Sequence, residues 1–209
     1  MKIGNVLMEY EVTDKKVIIP EGITHIEDYL FGDNEKIEEL YFPNSLLKIG
    51  VECFADCINL KKIHFGKNIK EIGESAFWGC DSLREVVIPG SILDIGECSF
   101  RGCDSLTRVI IEEGDEDIWE IGFGAFASCD LLKTVEIKKG VEDWGDGVFS
   151  QSGLERCVFP QMPYNRAYVP KYCFRECLDL REVVLPRGVK RIEAKAFDGC
   201  VRLSSIVKG

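Results

Sequence analysis

A phenylalanine recurs along the chain at nearly constant spacing, and this repeat constrains the fold more than any other feature. Successive members of the series lie 23, 23, 23, 26, 23, 25 and 23 residues apart. They are Phe31, Phe54, Phe77, Phe100, Phe126, Phe149, Phe174 and Phe197. Because one short unit cannot bury its own apolar face, we expect the units to stack and these side chains to form one continuous buried column.

Each unit also carries a motif that predicts a short β-strand. Its pattern is Leu-x-x-aliphatic-x-aliphatic, and the clearest copy is Leu83-x-x-Val86-x-Ile88. The alternation places Val86 and Ile88 on the same face of a strand, where both side chains point into the interior. Pro89 follows directly, and a residue without an N–H group ends a strand without leaving a donor unpaired.

A repeat of roughly 20 to 29 residues with this strand motif is typical of a leucine-rich repeat solenoid. We therefore predict a right-handed α/β solenoid of about eight 23-residue repeats, with a parallel sheet on the concave face and short irregular or helical return segments. Residues 1–16 are expected to form an N-terminal capping hairpin and residues 17–209 the solenoid, in a single domain. No cap is visible after the last strand, so its exposed edge favours self-association or marks a truncated chain.

Six of the ten cysteines occupy one position of the repeat, which argues against a disulfide framework. They are Cys57, Cys80, Cys103, Cys129, Cys177 and Cys200. A redox or metal column is the alternative to plain packing, but Asn34 and Ser152 fill the same position in two other units. We therefore expect small buried thiols and no metal site.

The sequence carries no convincing catalytic motif. A nucleophilic thiol needs a histidine partner, and His25 and His64 occupy unrelated positions of the repeat. The segment from Gly122 to Ala127 fits a dinucleotide-binding fingerprint formally, but the repeat register explains it fully. We expect neither enzyme activity nor a cofactor.

Charge and hydropathy narrow the classes of partner. The chain has 26 basic and 36 acidic residues, a formal net charge of −10, which disfavours nucleic acid as a ligand. No apolar run approaches the ~20 residues of a membrane-spanning helix, so no membrane insertion is expected. The N-terminal segment has no apolar stretch typical of a signal peptide, and many unpaired thiols fit a reducing compartment. The sequence as written therefore predicts a cytoplasmic protein.

The repeat register also predicts which side chains point outward from the strands and form the concave face. One column contains Ile18, Tyr41, His64, Val87, Ile110, Glu136, Val158, Val184 and Val207. With the flanking columns, the face holds nine basic and six acidic residues around this mostly apolar stripe. Such a surface suits a protein segment with acidic and aliphatic side chains. The candidate ligand-binding residues here are Tyr41, Lys61, Lys62, His64, Arg84, Val87, Arg108, Ile110, Arg156 and Arg181.

A simpler interpretation of the same face remains open. β-Branched residues favour strands in any case, and charges on neighbouring strands can pair with each other instead of binding a ligand.

Two units contain insertions, which solenoids project as loops, often on the binding face. Residues 112–117 are almost entirely acidic but lack the spaced ligands of a calcium loop, so a solvated run of charge is expected. The loop 161–170 carries Tyr164, Arg166 and Tyr168, and tyrosine and arginine commonly anchor interfaces. These three residues join the candidate contacts, with a plain surface loop as the alternative.

The unit from Ile69 to Pro89 resembles the repeats of BspA-like proteins, the bacterial surface-antigen class of leucine-rich repeats. It contains the class's elements in order, as Ile72-Gly73, Ala76-Phe77 and Cys80-x-x-Leu83. The similarity extends over nearly the whole chain.

This resemblance implies non-catalytic binding of a protein ligand, in that family commonly in adhesion or host contact. It also implies a location at the cell surface, in contrast to the cytoplasmic prediction. Two alternatives remain: a glycan-binding module, for which Tyr41 is thin support, and a structural spacer in a larger assembly.

Overall fold

The computed structural model describes residues 2–162 and 167–208, and this part of the chain consists of short strands and turns with no helix. Each turn of the solenoid contributes two strands, an odd-numbered one from the leucine-rich motif and an even-numbered one from the return segment. The odd-numbered strands follow one another in chain order along the solenoid, so the described residues form a β-solenoid of about nine turns.

From β3 onward the odd-numbered strands come from the predicted motif, and those that are hydrogen-bonded to each other run parallel; β1 is not part of this row. They are β3 (Lys16–Ile18), β5 (Glu39–Tyr41), β7 (Lys62–His64), β9 (Glu85–Ile88), β11 (Arg108–Ile111), β13 (Thr134–Ile137), β15 (Arg156–Val158), β17 (Glu182–Leu185) and β19 (Ser205–Lys208). They do not form one sheet. Among the described residues no backbone ladder joins β7 to β9 or β13 to β15, so the row is divided into three sheets of three strands.

The even-numbered strands form a second row on another side of the solenoid. They are β2 (Val6–Leu7), β4 (His25–Ile26), β6 (Lys48–Ile49), β8 (Glu71–Ile72), β10 (Asp94–Ile95), β12 (Ile118–Ile121), β14 (Val141–Trp144), β16 (Tyr168–Val169) and β18 (Arg191–Ile192). Strands β2 to β14 share one eight-stranded sheet with β1 (Lys2–Ile3), which forms an antiparallel hairpin with β2. Strands β16 and β18 pair separately, after the insertion at 161–170.

The predicted phenylalanine column is confirmed and runs through the whole interior. Neighbouring rings stack with centroid separations from 4.8 Å, between Phe31 and Phe54, to 6.0 Å, between Phe126 and Phe149. Tyr10 covers the N-terminal end, with its ring centroid 5.4 Å from that of Phe31. Seven of the eight rings are buried and Phe197 is partly exposed, and burial of each of the seven is worth about 1.5–3 kcal/mol.

The α/β class is wrong, because the return segments contain two left-handed residues in every turn. They lie two positions before and two positions after each phenylalanine of the column. Around Phe77 they are Ser75, with φ 51°, and Gly79, with φ 66°. An α-helix needs φ near −60° at consecutive residues, so this alternation produces tight turns instead of a helical piece.

The repeated cysteines are buried or nearly so, and their thiols bond to the backbone of the preceding turn. Cys57, Cys80 and Cys103 each place Sγ 3.3 Å from the carbonyl oxygen of the column phenylalanine one turn earlier. Cys129, Cys177 and Cys200 repeat the contact at 2.9–3.2 Å. This confirms the packing role predicted for the repeat position.

A column of glycines allows successive turns to approach closely beside the even-numbered strands. A Cβ atom added at Gly96 would lie 2.6 Å from the amide nitrogen of Glu74 and 2.7 Å from the carbonyl carbon of Gly73. Gly73 meets Gly50 in the same way. Glycine at these positions is therefore required by backbone contact between turns.

Candidate ligand-binding face

The outward side chains of the odd-numbered strands form one face of the solenoid, which we call the odd-strand face. Strand register brings Ile18, Tyr41 and His64 side by side, then Val87, Ile110 and Glu136, then Val158, Val184 and Val207. The predicted column therefore exists, and the two breaks in the ladder divide it into three parts. The inward residues Val86 and Ile88 are fully buried, as their alternation predicts.

Three side chains from neighbouring strands stack at one end of this face. The Tyr41 ring is nearly parallel to the His64 imidazole, with centroids 4.1 Å apart, and Lys16 Nζ lies 4.0 Å from the Tyr41 centroid. Because β3 and β7 flank β5 on opposite sides, Lys16 and His64 cover both faces of the Tyr41 ring. The Tyr41 hydroxyl donates to Glu39 at 2.9 Å. Tyr41 therefore offers no open aromatic face on which a sugar ring would stack.

Glu38 joins two lysines beside this stack. Its carboxylate oxygens lie 2.6 Å from Lys15 Nζ and 2.8 Å from Lys61 Nζ. Hydrogen bonds from Lys15 and Lys61 lower the pKa of Glu38 to about 2. Both lysines are exposed and Glu38 is partly exposed, so the network orders the side chains and contributes little to the free energy of unfolding.

Other charges on the face also pair between strands. Arg108 contacts Glu85 at 3.2 Å and Glu136 at 2.8 Å. Arg156 donates to Glu182 at 2.6 Å. For Lys61, Arg108 and Arg156, the simpler interpretation of charges that neutralise each other therefore holds.

Three other predicted cations are not neutralised in this way. Lys62, Arg84 and Arg181 form no ion pair with any residue of the described ranges. Lys62 and Arg84 lie on adjacent turns on either side of the break between β7 and β9. Two of these three cations therefore lie next to each other at this break.

A groove of about 840 Å³ opens at the same break, and we call it groove 1. Its polar lining consists of Lys61, Lys62, His64, Lys67, Ser82, Arg84, Glu85, Ser105 and Glu112. Four lysine and arginine side chains thus face two glutamates; Lys61 is already paired with Glu38 and Glu85 with Arg108, which leaves three cations and one glutamate. Groove 1 is a positive site on a protein whose formal net charge is −10.

The floor of groove 1 is apolar because the missing ladder uncovers part of the interior. Ile63 and Phe65 occupy core positions of the repeat, yet both are partly exposed and line the groove. Their equivalents in the next turn, Val86 and Ile88, are fully buried. A ligand in groove 1 would therefore contact core side chains as well as cations.

A second groove, of about 600 Å³, lies at the break between β13 and β15, and we call it groove 2. Its apolar lining consists of Val135, Ile137, Val158, Phe159 and Pro160. Two of its cations are already neutralised: Lys133 contacts Glu155 at 3.3 Å, and Arg156 contacts Glu182 at 2.6 Å. Within the described ranges, Lys138 is its one lining cation without an ion pair.

The structure distributes the predicted contact residues over this face. Groove 1 brings together Lys61, Lys62, His64, Arg84 and Val87. Arg156 lines groove 2. Arg108 and Ile110 lie on β11 between the two grooves, Tyr41 lies on β5, and Arg181 immediately precedes β17.

Tyr168 lies apart from these residues, in β16 of the even-numbered row. Its hydroxyl donates to Asp143 Oδ1 at 2.9 Å, and Arg191 lies 5.6 Å from its ring centroid. Burial and the hydrogen bond to Asp143 raise the pKa of Tyr168 to about 12. The predicted contacts Tyr164 and Arg166 lie outside the described residues.

The acidic insertion is partly neutralised by neighbouring turns. Lys70 Nζ lies 3.5 Å from Glu116, and the amide of Gly140 donates to Asp117 Oδ1 at 3.0 Å. Over residues 2–162 and 167–208, no three His, Cys, Asp or Glu side chains are arranged to hold a metal ion.

Lys139 is a buried charge next to this insertion that sequence analysis missed. Only 7% of the residue is exposed, and its Nζ donates to the carbonyl oxygens of Gly90 at 3.0 Å and Ile92 at 2.9 Å. Burial lowers the pKa of Lys139. The side chain joins two turns that are separated by an intervening one.

Sequence analysis also missed the groove floors. One signal was present in the sequence. The repeat position directly after the strand motif holds a proline at Pro43 and Pro89, but it holds Gly66 after β7 and Lys138 after β13. The same position is Glu112 after β11, and β11 is paired on both sides. Absence of the proline is therefore insufficient to predict a break.

Comparison with known proteins identifies the class to which this fold belongs. A family model described as a BspA type leucine rich repeat region matches residues 2–120 and 113–208, with six copies of the repeat. The chain is thus a member of the BspA-type leucine-rich repeat family, as its repeat motif suggested. No curated protein matches it.

Two crystal structures show the same fold at low sequence identity. A leucine-rich repeat protein from Bacteroides ovatus is 21% identical with a TM-score of 0.50, over 98% of this chain and 66% of its own. The T. pallidum leucine-rich repeat protein is 23% identical with a TM-score of 0.52, over 70% of this chain and 80% of its own. The chain therefore spans just under two thirds of the B. ovatus protein. The described residues include no helix with the length and hydropathy to cross a membrane.

Proposed function

We propose that the protein is a non-catalytic binding module that holds an acidic and aliphatic segment of a partner protein on its odd-strand face. Groove 1 is the principal contact. The observation that carries the proposal is the combination, in one groove, of two cations with an apolar floor. Lys62 and Arg84 have no ion pair with the described residues, and the floor consists of Ile63 and Phe65.

The two parts of groove 1 favour different parts of such a ligand. A ligand carboxylate would receive charge-assisted hydrogen bonds from Arg84 and Lys62, which are stronger than bonds between neutral groups. Aliphatic side chains would cover Ile63 and Phe65, at roughly 25 cal/mol per Å² of apolar surface removed from water. The positive groove on an acidic protein also steers an acidic ligand to this point of the surface.

The alternatives receive less support from the same geometry. A glycan-binding module would need an open aromatic ring on the odd-strand face, and both faces of Tyr41 are covered. A structural spacer would not need unpaired cations above an exposed apolar floor. Adhesion to another protein is the setting that membership of the family suggests for such binding.

Selection from a displayed library of random dodecapeptides would test the proposal. We expect the selected peptides to be enriched in Asp, Glu and aliphatic residues. Their affinity should fall at least tenfold in the variant Lys62→Glu/Arg84→Glu. The matched control is Lys36→Glu/Lys190→Glu, which changes the net charge equally with exposed lysines outside groove 1.

The control should change the affinity less than twofold. Peptides without acidic enrichment, or equal binding to the parent and the Lys62→Glu/Arg84→Glu variant, would overturn the proposal. Circular dichroism of both variants would verify that they remain folded.

A further inference from the structure

We infer that a bound segment bridges grooves 1 and 2, so that the odd-strand face selects an acidic side chain and an apolar side chain four residues apart in an extended chain. This inference rests on the proposed function and specifies the ligand of the same face. It follows from the position, charge and floor of the two grooves.

The separation of the grooves is set by the strands between them. Groove 1 lies between β7 and β9 and groove 2 between β13 and β15, so their centres are three strand positions apart. Neighbouring strands are about 4.8 Å apart, which places the centres about 14 Å from each other. An extended chain advances about 3.3 Å per residue, so four residues cover about 13 Å.

The alternation of side chains along the ligand restricts the spacing further. Successive side chains of an extended chain point to opposite sides, so only residues an even number of positions apart face the same surface. Residues i and i+4 of the ligand therefore reach both grooves together. Residues i and i+3 cannot reach both grooves, because their side chains face opposite sides, although their separation is only one residue shorter.

The two grooves prefer different side chains. In groove 1, Lys62 and Arg84 form no ion pair within residues 2–162 and 167–208, so this groove takes the acidic residue. In groove 2 the carboxylates of Glu155 and Glu182 already neutralise Lys133 and Arg156. The apolar floor of groove 2 then favours an uncharged, apolar side chain.

The strand midway between the grooves defines a third contact. β11 lies between β9 and β13, and Ile110 is its outward residue in the central column. Residue i+2 of the ligand faces the same side as residues i and i+4 and lies over Ile110. An aliphatic residue there is expected, because Val87 and Ile110 give this part of the face an apolar surface.

Two synthetic peptides of identical composition test the spacing. The first, Leu-Ser-Val-Ser-Asp-Ser-Val-Ser-Leu, places leucine four residues from aspartate in both chain directions. The second, Ser-Leu-Val-Ser-Asp-Ser-Val-Leu-Ser, places it three residues away. Titration into ¹⁵N-labelled protein, followed by amide chemical shifts, gives both the affinity and the groove that each peptide contacts.

The first peptide should shift amides of both grooves, such as His64 and Val158, with one dissociation constant. Its affinity should be about tenfold higher than that of the second, the effect expected for one additional buried leucine. Equal affinities with shifts confined to groove 1 would overturn the inference and leave the proposed function standing. Absence of groove 1 shifts with either peptide would contradict both.

A matched pair of variants distinguishes the loss of a contact in groove 2 from a general effect of a new charge on the odd-strand face. Val158 and Val207 occupy the same column and are 44% and 43% exposed, and of the two Val158 lines groove 2. Val158→Asp should reduce the affinity of the first peptide to that of the second. Val207→Asp should leave the tenfold difference intact, and its loss in both variants would overturn the inference.

Discussion

The Sγ atom of Cys80 lies 3.3 Å from the carbonyl oxygen of Phe54, one turn earlier in the solenoid. The same contact recurs along the column, for example from Cys103 to Phe77 at 3.3 Å and from Cys200 to Phe174 at 2.9 Å. A small thiol thus fills the turn and supplies a weak donor to a carbonyl group in the interior. Cysteine therefore combines both properties at this position in six of the turns.

Replacement of Cys103 by alanine should lower the free energy of unfolding by about 1–2 kcal/mol. The variant leaves a small cavity and removes the donor to the Phe77 carbonyl. Urea denaturation would measure the loss. Cys98→Ala is the control, because Cys98 lies partly exposed outside the column and should cost less than about 0.5 kcal/mol. Equal losses in the two variants would contradict the proposed role of the thiol.

Cys98 should be the first cysteine to react with iodoacetamide in the native protein. It is partly exposed, whereas burial raises the pKa of Cys57 to about 12 and that of the partly exposed Cys200 to about 12 as well. A thiol reacts as its thiolate, so these two groups are protected at pH 8. Mass spectrometry should show one fast site, which Cys98→Ser removes, and all ten thiols should react after denaturation without a reducing agent. A fast second site or missing thiols would contradict this prediction.

Stability should fall as the pH rises from about 9 to about 12. Burial raises the folded-state pKa of Cys129 and Cys157 to about 12, while the unfolded thiols titrate near 9. Between these values the folded state binds more protons, so unfolding becomes more favourable with each pH unit. Each thiol contributes at most about 1.4 kcal/mol per pH unit.

Denaturation curves across this pH range would test the sign and the source of the effect. The variant Cys129→Ser should show a shallower dependence on pH than the parent, because one titrating group is gone. A parallel dependence in the two proteins would show that other groups cause the loss.

Lys139→Ala should destabilise the protein by about 2 kcal/mol. The substitution removes the donor to the Gly90 and Ile92 carbonyl oxygens, and hydrogen bonds to charged groups contribute about 1.5–3 kcal/mol. The neighbouring Lys138 is exposed, so Lys138→Ala is the matched control and should change stability by less than about 0.5 kcal/mol. Thermal and urea denaturation should rank the two variants in this order. The reverse order would exclude a structural role for the buried lysine.

Gly96→Ala should cost more than about 2 kcal/mol, because its methyl group would overlap the backbone of Gly73 and Glu74. Gly102→Ala provides a comparison in which space is available. Gly102 has φ +70° and its nearest neighbours would lie 4.0 Å from the added atom, so only backbone strain of about 1 kcal/mol is expected. Similar losses at the two positions would argue against close packing of the turns at the glycine column.

The repeat register predicted much of the fold because equal spacing determines which residues become neighbours. The stacking of Phe77 on Phe100, with centroids 5.2 Å apart, follows from their 23-residue separation. The contact between Tyr41 and His64 on the opposite surface of the strand row follows in the same way.

The absence of helices was harder to predict because ordinary residues occupy many of the left-handed positions. Gly79 and Gly102 mark one of the two positions in their turns, but Asp56 and Ser128 hold the equivalent position with φ 54° and 55°. Because these positions hold no glycine, the sequence gives no reason to exclude a helical turn. The conformation is imposed by contacts between turns, which override local preference.

The grooves were not predictable for a related reason. Periodicity specifies the order of the turns but not whether adjacent strands form a ladder. Ile63 and Val86 hold the same position of the repeat, yet only Ile63 is partly exposed. The candidate cations Lys62 and Arg84 were therefore identified from their column, whereas the floor beneath them emerged only from the structure.

The unequal continuity of the two strand rows has a mechanical consequence. One side of the solenoid carries an unbroken eight-stranded sheet as far as β14, while on the other side the described residues form no ladder hydrogen bonds between β7 and β9 or between β13 and β15. At the first of these points β8 and β10 of the eight-stranded sheet still join the turns, whereas at the second no described ladder joins β14 to β16 either, so we expect the elastic resistance to be lower there. Tension or compression along the axis should accordingly change the width of groove 2 before that of groove 1.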